Sequence, residues 1–519
     1  MNPRTKLGAV VAVAVMGVSG LTGSAGASPG TPDQRAVAGA DRSIREHAEE
    51  LRLAPGDALT PPTITSGPGG LRYLLYRRTH RGLPVHGGEV IVSTDRTGTV
   101  VNAVVTGQQA TLNLGAAGVA PRVSAAEAAA KALGETAGTG EKAGYGVGTP
   151  RLLVHATTGR PRLAWEAVVT GGTQAAPVSR RVFVDALDGT VVESVDQIAH
   201  GIGNSRFNGN PVTIRTATSG GRYSMLDPSL PSLQCGGMSG TPYTKSTDNW
   251  GNGQGTNLET ACVDVMFGAQ KFSDMLALWM KRKGINGTGG GYPARVGLNT
   301  VDNQWNGSYV YFGHNQANRE QLVSLDMVAH EYGHAVFDTS GVGGPARDAE
   351  GKALAESTGD IFGALTEHYV NHPADLDEPD YLVGEEVNMV GTGPIRYMFN
   401  PSLAGDPNCY PVPSGLDPHR AAGPQNHWFY LLAEGTNPVG KPVSPVCGGP
   451  SRLTGIGIVK AGQIFYSGLQ LRSSAWTLGR SRLATVHAAK MLFTCAEVTA
   501  TKAAWTAVNV GPQSGEDTC

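Results

Sequence analysis

The sequence predicts an α+β protein of more than one domain, and three observations predict it. A chain of 519 residues is too long for one hydrophobic core. Composition changes near residue 200, with cysteine absent before it and all six cysteines after residue 234. Stretches of strand-like and of helix-like periodicity both occur in quantity. The balance is that of a globular protein, 40% hydrophobic and 16% charged, with formal net charge −2. Such a charge gives no electrostatic footprint for nucleic acid or an anionic membrane, and neither is expected as a partner.

Residues 1–27 have the order of a signal peptide. Arg4 and Lys6 precede an apolar run from Leu7 to Val18, and Ala25-Gly26-Ala27 offers small residues for cleavage. The run is too short to span a bilayer, which takes about 18 apolar residues or more. A secreted, extracellular protein is therefore expected. Cys235, Cys262, Cys409, Cys447, Cys495 and Cys519 are then an even set in an oxidising compartment, with no C-x-x-C spacing, and read as disulfides. Nearest-neighbour pairing is expected.

The block 28–200 reads as folded. Leu71–Tyr76 and Glu89–Val92 are strand-like, and Arg181–Asp185 and Thr190–Val192 form a hairpin pattern through Asp188-Gly189. Val123–Leu133 is an Ala-rich helix with Ser124 in the N-cap position. Such a block between a leader and a cysteine-bearing domain is either an ordinary N-terminal domain or a propeptide.

The chemistry begins at His330-Glu331-Tyr332-Gly333-His334. Histidines at i and i+4 share one helical face and can reach one ion, with the intervening Glu beside its bound water. Leu325, Val328, Ala329, Ala335 and Val336 supply the apolar positions of that helix, without proline. A catalytic zinc needs a third protein ligand. Phe337 and Ser340 stand where a third-histidine pattern would place Gly and His, so that class is excluded. The next helical stretch, Lys352–Tyr369, carries Glu356, Asp360, Gly363 and Glu367 on one stripe, while Asp326, His330 and His334 lie on a stripe of the first. Antiparallel pairing sets His334 against Glu356, His330 against Asp360, and Asp326 against Glu367. Glu356 then completes the zinc shell, and Asp360 accepts the second ring N–H of His330. Asp326 and Glu367, with Asp380 and Glu385 returning from a later acidic loop, form an all-oxygen set suited to calcium.

These residues resemble the thermolysin-like secreted zinc metalloendopeptidases, whose signature is H-E-x-x-H followed by E-x-x-x-D on the next helix. The resemblance implies a mixed-β catalytic lobe over 201–335 that includes the zinc helix, and a helical lobe over 336–519. Block 28–200 is similar to the family's propeptide modules, FTP-like over about 60–110 and PepSY-like over about 120–198, through Gly82-Leu83-Pro84-Val85 and Gly87-Gly88-Glu89. That implies a propeptide acting as inhibitor and folding chaperone, removed by autolysis. Asp417-Pro418-His419 resembles the segment supplying the transition-state histidine and its supporting carboxylate. Arg396 resembles the arginine that grips the substrate carbonyl; Asn306-Gly307-Ser308 after Trp305 looks like the edge strand that binds substrate backbone, and Asn303 and Trp305 are expected to bind substrate there. The resemblance implies structural calcium at Asp326, Glu367, Asp380 and Glu385. It also implies a monomer that cleaves proteins and peptides before bulky hydrophobic residues. Two departures stand out: the loop 341–351 holds no Tyr to donate to an oxyanion, and the spacing from His334 to Glu356 is two residues longer than usual. The reading from another class is a secreted binding protein on an inactive peptidase scaffold.

Overall fold

The computed structural model describes residues 11–14, 30–66, 71–106, 108, 110–115, 118–137, 145–157, 160–173 and 176–519. Arg4, Lys6 and Ala25–Ala27 of the expected leader lie outside them; within it, Val11–Ala14 pairs antiparallel with Val101–Thr106. Among the described residues no helix is long and apolar enough to cross a membrane. The chain divides into two compact units, Met1–Gly172 with Val178–Asp196, and Thr173–Pro177 with Gln197–Cys519.

The first unit is two sheets, each covered by a helix. Five antiparallel strands include Val101–Thr106, Val90–Thr94, Arg72–Tyr76 and Thr63–Ser66 as neighbours. Helix α1 (Pro32–Glu46) lays Ala36, Ala40 and Ile44 on their Leu74, Val90, Val92 and Val104. Thr31 caps it, accepting from Gln34 N while the Gln34 side chain returns to the Thr31 N–H. The second sheet runs Val191–Asp196, Ala176–Asp185, Arg162–Thr173, Arg151–His155, Leu83–His86 and onward to Asp57–Leu59. Helix α2 (Ala125–Ala137) covers it through Ala128 and Ala132, against Ala167, Val169, Val182 and Val184. Ser124 caps that helix as its sequence predicts, bonded reciprocally with Glu127. The hairpin through Asp188-Gly189 is also present, with Phe183 opposite Glu193.

The second unit opens on Ile198–Gly203, a strand paired on both sides, antiparallel to Val212–Ser219 and parallel to Asn249–Trp250. The boundary expected at 200 therefore lies a few residues early in the structure, because Ile198 already belongs to this ladder. A second, mixed sheet is ordered Cys235–Gly236, Ala294–Val296, Val310–Phe312 and Asn303–Trp305, leaving the last as an edge. Helix α3 (Leu258–Met280) passes beneath with most of its side chains buried, which explains why it is apolar nearly all round. Asn257 caps its start by accepting from Thr260 N, and Lys281 ends it in the left-handed conformation.

Helices α4 (Leu325–Asp338) and α5 (Ala349–Val370) pack against each other and against α3. The remainder is mainly helical, with one short antiparallel pair, Leu382–Val383 and Arg396–Tyr397, before α6 (Pro418–Ala421), α7 (Gly423–Ala433), α8 (Ile458–Leu469), α9 (Leu478–Leu492) and α10 (Cys495–Ala507). One core runs through both lobes, from Trp250 and Phe272 to Trp428 and Trp505. The disulfides are Cys235–Cys262, Cys409–Cys447 and Cys495–Cys519, the nearest-neighbour pairing.

Candidate active site

The site depends on how closely α4 and α5 approach. A Cβ at Gly333 would stand 3.0 Å from the Gly359 Cα, and one at Gly359 would stand 2.5 Å from His330 Nδ1. Two glycines on facing surfaces thus let the helices meet backbone to backbone, and the histidine ring lies flat across the second. The index pairing read from the sequence is the contact pattern found. His330 Nε2 lies 3.4 Å and His334 Nε2 lies 3.7 Å from Glu356 Oε2, and the two Nε2 atoms are 3.1 Å apart. Metal–ligand bonds of about 2.0–2.2 Å at tetrahedral angles require donor atoms roughly 3.3 Å apart, so these three fit one zinc ion. Glu356 Oε2 is buried, makes no hydrogen bond and faces three imidazole nitrogens, the condition of an atom placed for a cation.

Charge supports the same reading. Burial alone would lower the His330 pKa, but Asp360 and Glu356 outweigh it and push the imidazolium up to about 10. A metal must displace that proton, so loading the site releases it. His334 is held near 4 chiefly by burial, and is neutral and ready to ligate. Burial would raise Glu356, yet the His334 and His330 charges draw it down to about 2.

Asp360 orients this shell. It accepts from His330 Nδ1 at 2.9 Å, from Arg396 Nε at 2.7 Å and Nη2 at 2.6 Å, and from Asn426 Nδ2 at 2.7 Å. Arg396, read from sequence as a grip on the substrate carbonyl, does line the cleft, but two of its nitrogens are committed to Asp360. Asn426, which with His427 follows the Asp417-Pro418-His419 segment in sequence, carries no sequence signal for its bond to Asp360. His427 itself bonds Asn408 and Ser444 and takes no part in the site. Arg396→Ala strands a buried carboxylate, with an expected loss of about 3–5 kcal/mol in chemical denaturation. Zinc affinity falls with it by about 10–100-fold, read by competition with a chelator.

The cleft holds about 820 Å³ and is lined by Glu331, His334, Trp305, Met327, Arg396 and His419 among others. Glu331 is pushed up to about 8, first by burial, and its Oε2 has no partner. His419 points Nε2 at Glu356 Oε2, 3.2 Å away, while its Nδ1 is 2.9 Å from Asp417 Oδ1. Asp417 also caps α6 by accepting from the His419 N–H at 3.0 Å, so one carboxylate sets both helix start and ring. Where a tyrosine was missed in the sequence, Pro345, Ala346 and Lys352 line the wall.

Asn303 and Trp305 line the cleft with their polar atoms already engaged. The Asn303 amide donates to Leu322 O and accepts from Gly313 N, so its side chain holds a turn and does not reach substrate. The Trp305 indole N–H donates to Asp338 Oδ2 at 2.9 Å. Only the free backbone edge of this strand is left for pairing.

The acidic residues converge at the far end of α4 and α5. Asp326, Glu367 and Glu385 bring oxygens within 4.8 Å of one another, and Asp377, Glu385 and Glu386 form a second such group sharing Glu385. Both Glu367 oxygens are buried without a partner, and burial with four neighbouring carboxylates raises its pKa. Asp380 stands outside both groups, accepting from the Leu382 N–H, though its charge acts on Glu367 and Glu385. Asp377 and Glu386 were missed because they come from a loop with no periodicity to read.

Residues 200–338 match the thermolysin metallopeptidase catalytic domain, and 348–510 match its alpha-helical domain, together more than half of the chain. Residues 63–106 match the fungalysin/thermolysin propeptide motif. The transglutaminase-activating metalloprotease of Streptomyces mobaraensis is 35% identical over 508 residues, 93% of this chain and 65% of that protein. A bacillolysin of Brevibacillus brevis is 28% identical over 63% of this chain and 61% of that protein. A thermolysin of Alicyclobacillus acidocaldarius subsp. acidocaldarius is 26% identical over 85% of this chain and 84% of that protein. The chain thus spans just under two thirds of the length of the first two relatives.

Proposed function

We propose that this chain, which belongs to the thermolysin family of metallopeptidases, is a secreted zinc-dependent endopeptidase made as a self-processing zymogen. The observation that carries the reading is the set His330, His334 and Glu356, three donors at one-ion spacing with Glu331 buried beside them. When bound, zinc supplies a Lewis acid and lowers the pKa of water from 15.7 toward about 7. Glu331 is the general base. It takes a proton from the attacking water and passes it to the leaving amine. His419, oriented by Asp417, donates from Nε2 to the oxyanion, with Arg396 adding positive charge behind it. The Asn303–Trp305 edge binds substrate backbone by strand addition, and Met327 and Ile395 line the cleft where a bulky hydrophobic residue would sit. The zymogen reading rests on the propeptide motif over residues 63–106. Calcium at Asp326, Glu367 and Glu385, with Asp380 nearby, would hold the acidic loop to α4 and α5. The protein acts as a monomer.

With no tyrosine in the 341–351 loop, the oxyanion depends on His419. His419→Ala is expected to lower kcat by about a hundredfold or more with KM little changed, measured on a peptide substrate. A loss below about tenfold assigns that donation to another group. Secretion and processing are read by N-terminal sequencing of the protein in the medium: a mature chain beginning near residue 197 is expected, and an intact chain retaining residues 28–196 in an active preparation contradicts the zymogen reading.

A further inference from the structure

A second group of metal-type donors lies wholly within the first unit. His86 and His155 are side-by-side partners in a parallel ladder, which sets both rings on one face of the sheet. Glu193 reaches them from the Val191–Asp196 strand, with its Oε2 2.6 Å from His155 Nε2. Donor atoms of the three residues all lie within 4.8 Å of one another, as do those of His330, His334 and Glu356.

The surroundings fix these rings. Phe183 stacks on His86 at 4.6 Å between centroids and meets His155 edge-on at 4.8 Å. Gly87 takes a positive φ, and a Cβ there would strike Thr157 at 2.7 Å, so the turn after His86 is pressed against the segment after His155. The Thr157 hydroxyl lies 3.2 Å from His155 Nε2 and 3.3 Å from Glu193 Oε2, completing a polar rim.

An independent observation singles this cluster out. Among the described residues, the buried imidazole or carboxylate atoms without a hydrogen-bond partner belong to Glu331, Glu356, Glu367, Glu385, Glu386 and His155. The first five line the zinc site or the acidic clusters. His155, fully buried, is the sixth, and its Nδ1 has no partner. Its Nε2 faces Glu193 Oε2, so a ring held at one nitrogen by Glu193 keeps the other free of any protein partner, and either nitrogen is available to ligate an ion.

We propose that His86, His155 and Glu193 bind a second zinc ion, carried by the propeptide. Two imidazoles and one carboxylate suit zinc and not calcium, which takes oxygen donors alone. The ion would tie the Leu83–His86 strand to Val191–Asp196, which lies four strands away in the sheet and is the last element before the catalytic unit. Metal loading would therefore brace the end of the propeptide next to the junction that processing must cut.

The test is zinc content per chain in the full-length Glu331→Gln protein, secreted from a protease-deficient host and dialysed against metal-free buffer containing calcium. Two zinc ions per chain are expected, falling to one in Glu331→Gln combined with Glu193→Gln and again with His86→Ala. Glu193→Gln keeps size and hydrogen bonding at a part-exposed position, so it decides the matter if the His86 variant misfolds. One zinc in the parent, or two in the Glu193→Gln protein, overturns the proposal. Loading with cobalt gives a second readout: a visible absorption band attributable to the propeptide that persists in His334→Ala and disappears on adding Glu193→Gln.

Discussion

Replacing Glu331 with Gln leaves zinc bound and abolishes peptide hydrolysis. The proposed ligands are His330, His334 and Glu356, and none of them bonds Glu331, whose Oε2 stands buried and unpartnered in the cleft. Gln fills the same volume and can orient a water, but it cannot take its proton. General-base catalysis of this kind contributes about 10²–10⁴-fold, and with proton return to the amine also lost the upper end is expected. The raised pKa adds a second signature. Because burial pushes Glu331 up to about 8, the acid limb of the metal-free group would sit unusually high; bound zinc would pull it down, and the acid limb of kcat/KM reports how far. The variant should also accumulate with residues 28–196 still attached. Normal processing in a protease-free host would remove the autolysis claim and leave the enzyme claim standing, whereas full activity with zinc bound would remove Glu331 from the chemistry.

Calcium raises the thermal midpoint of the zinc-loaded protein, and more so at alkaline pH. Asp377 is pushed up to about 8, Glu386 to about 7 and Asp380 to about 6, in each case first by burial and then by neighbouring carboxylates. Carboxyls with raised folded pKa bind protons more tightly when folded. Their stabilising contribution is full below the ordinary carboxylate range and is lost as pH rises through these values. The calcium-free midpoint therefore falls between pH 5 and pH 8, and calcium, which replaces the protons, removes the fall. Binding at about a thousandfold above Kd is worth roughly 4 kcal/mol. At about 2–4 °C per kcal/mol, the calcium-dependent shift near pH 8 is about 10 °C. Stripping all metals, restoring zinc alone and scanning with and without millimolar calcium measures it. Glu385→Gln, which takes an oxygen from both clusters, should abolish most of the response. An unchanged midpoint would eliminate calcium, and an undiminished response in Asp380→Ala would exclude Asp380.

Much of this was legible because helices impose a period. His330 and His334 four apart, Glu356 and Asp360 four apart, and one antiparallel register pairing the two stripes bring the proposed zinc ligands and the Asp360 support together from sequence alone. The cap at Ser124 and the hairpin at Asp188-Gly189 were local signals and appear where local chemistry puts them. What was not legible depends on packing between distant segments. That Asn303 spends its amide on Leu322 and Gly313 follows from the neighbouring strand, and that Arg396 and Asn426 converge on Asp360 follows from a loop and a helix that no spacing links. Asp377 and Glu386 escaped notice because an acidic loop reads alike whether solvated or folded onto an ion. His86, His155 and Glu193, spread over more than a hundred residues, have no motif; sheet register pairs the two histidines, and Glu193 meets them by a side-chain contact from a non-adjacent strand.

The rival account, a binding protein on an inactive scaffold, differs from the enzyme on one measurement. The secreted mature protein is incubated with casein in excess calcium, with and without a zinc-selective chelator, and zinc is then returned. Cleavage that stops on chelation and resumes with about one equivalent of zinc is the predicted result. No cleavage by protein shown to hold zinc at His330, His334 and Glu356, or cleavage indifferent to the chelator, would contradict it.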